Sequence, residues 1–362
     1  MNHNDHINED MVCIQNSTYD SIDLDSLLRP LGNLNKFINK GDRVLMKLNL
    51  LNASVPKKRV TTDPSLVKKT AEAVLKTGGI PSIGDSPSGQ FSKRRLKKVY
   101  EKAGLLKLSH EMGIELNYNT NTTKVSIPNG KLLKKTTLCN FILQADKIIA
   151  LPKIKTHSYM IMTLATKIMY GAIPGLTKAK YHSLFIKRSS FADMLIDTFS
   201  VTEPDLIIMD GIIGMQGNGP AGGTPVKLNV LIAAKNAFAM DITVCKILNI
   251  EPVGIPILKQ AKVRGLWPKK ILYPQLKPQD VKYTKFILPS TAGYLLTGRK
   301  TPKRSPKVTT KCTSCGFCQE ICPKNAIKNK HEGAEIEYTK CIRCYCCHEV
   351  CPENAIELEA TL

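Results

Sequence analysis

The segment "KCTSCGFCQEICPKNAI" (311–327) returns without a gap as "KCIRCYCCHEVCPENAI" (340–356). Each copy spaces four cysteines as C-x2-C-x2-C-x3-C and follows the last one with proline. Three closely spaced thiolates in a tight loop can each reach one corner of an iron–sulfur cubane, and the fourth corner must then be filled from elsewhere. The duplicated unit therefore predicts a small C-terminal domain that holds two 4Fe–4S clusters.

The spacing is that of bacterial two-cluster ferredoxins, in which the fourth cysteine of each run ligates the other cluster. We therefore expect a ferredoxin-like domain over 311–362 with two ligand sets, Cys312, Cys315, Cys318 and Cys351 for one cluster and Cys341, Cys344, Cys347 and Cys322 for the other. A disulfide framework or a pair of zinc sites is the alternative, because C-x2-C pairs also bind zinc. Duplication of the whole run favours clusters.

Cys346 is the cysteine that the two ligand sets leave over. We interpret it as a thiol that packs near a cluster without ligating it. A different choice of ligand and a redox-sensitive thiol are the alternatives.

The whole chain has 362 residues, which is enough for about two domains and a core that needs no disulfides. Cys13, Cys139 and Cys245 lie far apart outside the duplicated unit, so they do not suggest a disulfide scaffold. The polar opening "MNHNDHINED" does not resemble a signal peptide, and we find no apolar run of the ~18–20 residues that span a membrane. Oxygen-sensitive clusters and dispersed cysteines favour a reducing cytoplasm.

Charge is distributed unevenly along the chain. The formal net charge is +22, but residues 311–362 carry 6 Lys and Arg against 8 Glu, so the first 310 residues are strongly basic. This asymmetry favours docking of the acidic cluster domain on its own body, or of an acidic redox partner protein such as a ferredoxin. Only 6% of residues are aromatic and no nucleic-acid-binding motif is recognised, which argues against nucleic acid as a partner.

The region before the duplicated unit alternates predicted strands with predicted helices. This order favours an α/β domain, a largely parallel sheet with helices on both faces, over 1–296. The basic segment 297–310 is the predicted linker to the ferredoxin-like domain. The predicted strands are 43–50, 80–85, 146–152, 205–210 and 226–234, and the predicted helices are 63–79, 91–104, 188–200 and 236–248.

Ligands of open α/β sheets gather at the carboxyl ends of the strands, and four segments place polar residues there. They are "KLNLL" with Lys47 and Asn49, "GDSPSG" with Asp85 and Ser86, "LPKIKTH" with Lys153, Lys155 and His157, and "MDGIIGMQGNGPAGGTP" with Asp210, Gly217 and Gly219. The three alternating cationic side chains of "KIKTH" suit a phosphate or carboxylate. Each segment also has a structural interpretation: Asp85 as a helix cap, His157 as a core histidine, and the glycines as a tight loop without a nucleotide-binding motif.

Further along the chain, Lys167 lies in the otherwise apolar stretch "MTLATKIMYGAIPG" (162–175), followed by Lys180 and His182. A buried lysine needs a carboxylate or ligand as partner. Asp241, in a predicted helix, is a candidate partner, and a purely structural ion pair is the alternative.

Taken in order, "KLNLL", "TTDPSLV", "GDSPSG", "LPKIKTH", "MTLATKIMYG" and "MDGIIGMQGNGPAGGTP" followed by "AMDIT" resemble the domain of unknown function 362 family over about residues 43–250. That family commonly carries a C-terminal tandem ferredoxin module, and its biochemical role is largely undefined. The resemblance implies motif positions at Lys47, Asn49, Asp85, Lys153, Lys155, His157, Lys167, Gly171, Asp210, Gly217, Gly219, Pro220 and Asp241. The sequence departs from the usual family pattern at Leu48, Ile168 and Gln216.

Two functions of different classes fit these features. In the first, the chain is an iron–sulfur oxidoreductase whose two clusters relay electrons to an anionic substrate or cofactor. Lys155, His157 and Lys167 hold that molecule, Asp85, Ser86, Lys153, Gly217 and Gly219 bind a cofactor, and Asp210 and Asp241 orient the site or bind a metal. In the second, the chain is an electron carrier that docks a partner enzyme without catalysis of its own.

Overall fold

A computed structural model describes residues 10–293, 298 and 302–360. The α/β domain contains strands β1 (Val12–Asn16), β2 (Arg43–Leu48), β3 (Ile80–Gly84), β4 (Glu115–Leu116), β5 (Thr122–Ser126), β6 (Lys135–Cys139), β7 (Lys147–Leu151), β8 (Lys153–His157), β9 (Ile161–Met162), β10 (Leu206–Gln216) and β11 (Thr224–Ala234). Its helices are α1 (Leu24–Leu28), α2 (Pro64–Lys76), α3 (Lys93–Lys102), α4 (Leu105–Met112), α5 (Asn140–Leu143), α6 (Leu164–Ile168), α7 (Gly175–Leu184), α8 (Arg188–Phe199), α9 (Ala237–Ile247) and α10 (Pro256–Val263).

The central sheet has the strand order β1-β11-β10-β7-β2-β3-β4, with β8 and β9 attached beside β10. Its pairs from β10 to β4 are parallel, whereas β11 pairs antiparallel with both β10 and β1. The prediction of a largely parallel sheet is therefore confirmed, with an antiparallel edge. Among the described helices, none is both long and apolar enough to cross a membrane.

Side chains of β2 show how the sheet is covered on both faces. Val44, Met46 and Leu48 point into a core shared with α1–α4, whereas Leu45 points into a second core shared with α6, α8, α9 and α10. Successive residues of a strand face opposite sides, so a continuous apolar run is typical of a strand buried on both faces. Lys47 lies on the same face as Leu45 and is fully buried.

Two predicted elements differ from the structure. Strand β10 continues to Gln216 because it pairs with β11 beyond a register shift at Gly211–Ile213, so Asp210 lies inside a strand rather than at its end. The segment with Lys153, Lys155 and His157, predicted to follow the strand at 146–152, forms a separate strand of its own, β8.

The ferredoxin-like domain contains β12 (Arg304–Val308), α11 (Phe317–Ile321), β13 (Ile327–Lys330), β14 (Gly333–Ile336), α12 (Cys346–Val350) and β15 (Ile356–Ala360). Strand β12 lies within the predicted linker, and it pairs antiparallel with β15, so this domain begins before residue 311. Residues 297 and 299–301 of the predicted linker lie outside the described residues, and so do 1–9, 294–296 and 361–362 at the predicted domain limits.

Candidate functional site

A cavity lies beyond the carboxyl ends of β2 and β3, between the α/β domain and the ferredoxin-like domain. The ferredoxin-like domain contributes Ile321, Cys346 and Glu349 to its wall. From the α/β domain, the polar lining comprises Lys47, Asn49, Asp85, Ser86, Ser88, Lys155, His157, Thr163, Lys167, Tyr170, Lys178 and His182. Most of the candidates that follow predicted strands therefore meet in one place.

Lys47 and Asp85 form a buried ion pair at the floor of this cavity. Lys47 Nζ lies 2.9 Å from Asp85 Oδ2 and donates to the carbonyl of Leu48, while the Ser86 amide donates to Asp85 Oδ1. Burial raises the pKa of Asp85, and the neighbouring ammonium opposes that shift. Gly171 packs directly against the pair, since a Cβ there would overlap Asp85 Oδ1. Asp85 does not cap α3, whose N-cap is Ser92.

Lys178, from α7, is held beside this pair by oxygen atoms. Its Nζ donates to Ser86 O at 2.7 Å, to Ile173 O at 2.8 Å and to Ser86 Oγ at 3.1 Å. Burial lowers the pKa of Lys178 to about 8. Ser86 therefore positions a cation that the sequence did not single out.

Lys155 and His157 reach the cavity from β8. Lys155 Nζ donates to Val60 O at 2.7 Å, and burial lowers the pKa of this amine to about 7. His157 Nδ1 accepts from the amides of Tyr159 and Met160, which places the ring proton on Nε2. Burial lowers the pKa of His157 well below its usual value, so the ring is neutral.

Two buried polar atoms face the cavity without a hydrogen-bond partner among the described residues. They are His182 Nδ1 and Glu349 Oε1, and the latter lies 3.3 Å from His157 Nε2. The half-buried Lys167 lines the cavity beside them, with its Nζ 5.6 Å from the centre of the Tyr170 ring. Burial lowers the pKa of Lys167 and that of His182, and it raises the pKa of Glu349 to about 7. Buried polar groups without partners are costly, so these atoms are the candidates for contact with water or with a bound molecule.

The remaining candidates lie outside the cavity lining. Lys153 and Asp210 form a fully buried ion pair with each other, and Asp210 also accepts from Tyr19 Oη and the Asp63 amide. Asp241 accepts from Ala165 N, Thr166 N and Thr166 Oγ1 at the start of α6, and burial raises its pKa to about 7. The structure therefore gives both aspartates and Lys153 structural contacts, and Asp241 orients the helix that carries Lys167.

The glycine-rich loop also has a structural role. Gly219 packs on β8, where a Cβ would overlap Thr156 O, and its carbonyl accepts from Ser158. Gly217 has φ +75°, a left-handed conformation that favours glycine. Both residues shape the turn, and the following Pro220 is the loop residue that lines the cavity.

Two smaller cavities in the ferredoxin-like domain are lined by cysteines. One is surrounded by Cys312, Cys315, Cys318 and Cys351, and the other by Cys322, Cys341, Cys344, Cys347 and Cys346. No three His, Cys, Asp or Glu side chains of the described residues converge closely enough to hold a single metal ion. A zinc site needs its four ligands within ~2.0–2.3 Å of one atom, whereas thiolates around a cubane stand apart at its corners, so the arrangement fits clusters.

Helix α12 lies between the second of these cavities and the interdomain cavity described above. Cys346 lines both. It also packs with Ala179, Ile321 and Val350 in a small apolar cluster. The thiol left over by the sequence pattern therefore lies between the second cysteine set and the interdomain cavity.

Family models agree with both parts of the chain. Residues 44–246 match the model of a domain of unknown function, DUF362. The chain belongs to the DUF362 family. The family model of a 4Fe–4S binding domain matches two further segments, 306–328 and 334–357. This DUF362 protein therefore carries a cluster-binding ferredoxin-type domain.

Two known proteins are similar to this DUF362 chain. The Thylakoid-associated protein sll1697 of Synechocystis sp. is 34% identical over 275 residues, which cover 74% of this chain and 82% of that protein. The lactate racemase apoprotein from Thermoanaerobacterium thermosaccharolyticum gives a TM-score of 0.38 at 14% identity, over 65% of this chain. This chain spans 56% of that racemase, and a similarity this low does not bear on function.

Proposed function

We propose that this protein is an iron–sulfur oxidoreductase in which two 4Fe–4S clusters relay electrons to an anionic substrate or cofactor in the interdomain cavity. The observation that carries the proposal is the position of α12. This helix begins at Cys346, contains the predicted cluster ligand Cys347, and places both Cys346 and Glu349 in the cavity wall. Electrons on the second cluster would thus be delivered directly beside the ligand.

The two cysteine cavities support the predicted ligand sets. Each is lined by three cysteines of one run and the fourth cysteine of the other, as bacterial two-cluster ferredoxins require. Bound clusters would supply single-electron transfer, and the chain's own residues bind and orient the molecule that receives the electron.

The charge of the cavity supports an anionic ligand. Lys47 is balanced by Asp85, whereas Lys155, Lys167 and Lys178 face the single remaining carboxyl group of Glu349. A carboxylate or phosphate group would supply an acceptor for Lys167. The unpartnered His182 and Glu349 would hydrogen-bond to polar groups elsewhere on the same molecule.

Replacement of Cys346 with serine tests the ligand sets. We expect the Cys346→Ser variant, purified without oxygen, to keep its iron and acid-labile sulfide content, because four other cysteines surround the second cavity. The matched Cys344→Ser variant should lose about half of both, because it removes one of the four thiolates that hold a cluster. A loss of about half the iron in Cys346→Ser alone would assign the ligand role to Cys346. Full iron in both variants would mean that either thiol can fill that corner of the cluster.

The pH dependence of ligand retention tests the proposed site. Native mass spectrometry of the anaerobically purified chain should show an extra small mass at about pH 6.5 and less of it at about pH 9. Lys155, with a pKa of about 7, and Lys178, with a pKa of about 8, lose their protons as the pH rises, so the attraction for an anion weakens. Cluster content, followed by absorbance, should stay constant over this range and serves as the control.

The second candidate function is an electron carrier without catalysis of its own. Retention of the clusters without any additional mass at either pH, together with no effect of cavity substitutions on electron transfer, would favour it over the oxidoreductase.

A further inference from the structure

A second depression lies on the outside of the same domain interface, between α3 and the ferredoxin-like domain. Gln90, Ser92, Arg94, Arg95 and Lys98 form one wall of this groove, and Thr313, Cys315, Phe317, Glu320, Val350, Pro352 and Glu353 form the other, with Asn52, Ala53 and Val99 at the base. It shares none of its lining residues with the ligand cavity.

The groove is built by interdomain contacts that hold its walls in place. Glu320 accepts from the Gln90 amide at 2.8 Å and lies 3.9 Å from Arg95. The Arg95 guanidinium stacks over Phe317 at 5.2 Å, and its Nε is buried without a hydrogen-bond partner among the described residues.

The α3 wall of the groove is basic. Arg94 and Lys98 lie one helical turn apart, so both project from the same face of α3, and Lys93 and Lys97 of the same helix are exposed as well. The lining also holds two exposed acids, Glu320, which is engaged by the Gln90 amide and Arg95, and Glu353. A surface of this charge attracts a negatively charged partner and steers its approach.

The groove also reaches the predicted cluster ligands. Cys315 lines both the groove and the first cysteine cavity, and it is the one exposed cysteine of the eight, all of which the structure describes. The order in space is therefore groove, first cysteine set, second cysteine set, Cys346 and ligand cavity.

We propose that this groove is the docking site of an acidic electron-carrier protein, which delivers electrons to the chain at the Cys315 end. In each transfer the carrier is oxidised by one electron and the first cluster is reduced by one, with no bond made or broken. The proposal rests on the electron-transfer function above, and its test measures binding, so the two can fail separately. A carrier protein is favoured over nucleic acid because the basic residues of α3 line the same groove as Cys315, a predicted cluster ligand.

The test compares two variants of equal charge change. In Arg94→Glu/Lys98→Glu the groove loses its two exposed cations and keeps Arg95. In Lys259→Glu/Lys270→Glu two exposed lysines, one on α10 and one beyond its end, are reversed instead. Glutamate keeps a good helix propensity at 94 and 98, so α3 should form in both. The probe is a purified, acidic 2Fe–2S ferredoxin of the plant type, titrated calorimetrically into the full-length, cluster-loaded chain.

We expect the groove variant to raise the Kd by about tenfold at low salt, mostly through slower association, and the control variant to match the wild type. The wild-type Kd should also rise with ionic strength. Stopped-flow reduction of the clusters by the reduced probe should slow in parallel.

Equal affinity in the two variants would overturn the assigned surface, even if the clusters are still reduced. Absence of probe binding to the wild type, or binding of a single-stranded oligonucleotide that only the groove variant loses, would overturn the partner class. Circular dichroism of both variants confirms that α3 remains folded, and iron content confirms that the clusters remain.

Discussion

A Lys153→Met variant is expected to lose about 3–5 kcal/mol of its free energy of unfolding, because it leaves a buried carboxylate without its cation. Lys153 and Asp210 are both fully buried, and Lys153 Nζ also donates to Ile213 O at 2.9 Å and to Tyr19 Oη at 3.2 Å. Chemical denaturation of wild type and variant, followed by circular dichroism, measures the difference.

Two further variants show whether the lost stability comes from the unpaired charge. Lys153→Met/Asp210→Asn should recover most of it, because the amide oxygen can still accept from Tyr19 and Asp63 while the buried charge is gone. Lys76→Met removes a surface partner of Asp25 and should cost about 0.5 kcal/mol or less. If the double variant is no more stable than Lys153→Met, packing of the lysine stem rather than charge explains the loss.

Lys153 also shows where reasoning from the sequence ends. Lys153, Lys155 and His157 share one face of a strand by their spacing of two, which predicts a common role. The partner strand decides otherwise, since β10 places Asp210 opposite Lys153 and, beyond an irregularity, Met215 opposite Lys155. Lys155 therefore lines the cavity, whereas Lys153 is paired with Asp210. The register between β8 and β10 depends on long-range strand pairing and cannot be read from the local sequence.

The α/β layering could be predicted because buried parallel strands and amphipathic helices have strong periodic signals. The place of Lys178 in the cavity could not be predicted. It lies in the weakly patterned helix "GLTKAKYHSL" (175–184), where Lys180 has similar neighbours in the sequence. Lys178 and His182 are four residues apart and face the cavity together, whereas Lys180 points outward and is exposed.

The duplicated unit identifies Cys346 as the cysteine outside the ligand sets, but it does not predict that Cys346 lies in the wall of the interdomain cavity. Cys346 and Glu349 occupy the places of Phe317 and Glu320 in the first copy. The first copy packs these positions against Arg95, whereas the second turns them to the ligand cavity. The first copy therefore contacts the α/β domain at Arg95, and the second copy contributes to the wall of the interdomain cavity. This difference arises from the interface between the two domains.

A Lys167→Met variant is expected to keep its stability while losing the ligand. Its side chain is half-buried, with Nζ 5.6 Å from the centre of the Tyr170 ring and no ion pair within 4 Å among the described residues. Replacing it should change the free energy of unfolding by about 1 kcal/mol or less, since methionine fills a similar volume. Loss of a buried charged contact to an anion should weaken binding by at least about 2 kcal/mol, or roughly thirtyfold.

The measurement is the affinity for the small molecule recovered from the wild type, together with denaturation curves of each variant. Lys180→Met, on the exposed face of α7, is the matched control and should bind as the wild type does. A large loss of stability in Lys167→Met would instead mean that this amine is paired with Glu349 in a structural role, and that the cavity holds its charges for the fold alone. Unchanged affinity in a stable variant would remove Lys167 from the site and with it the main reason to expect an anion there.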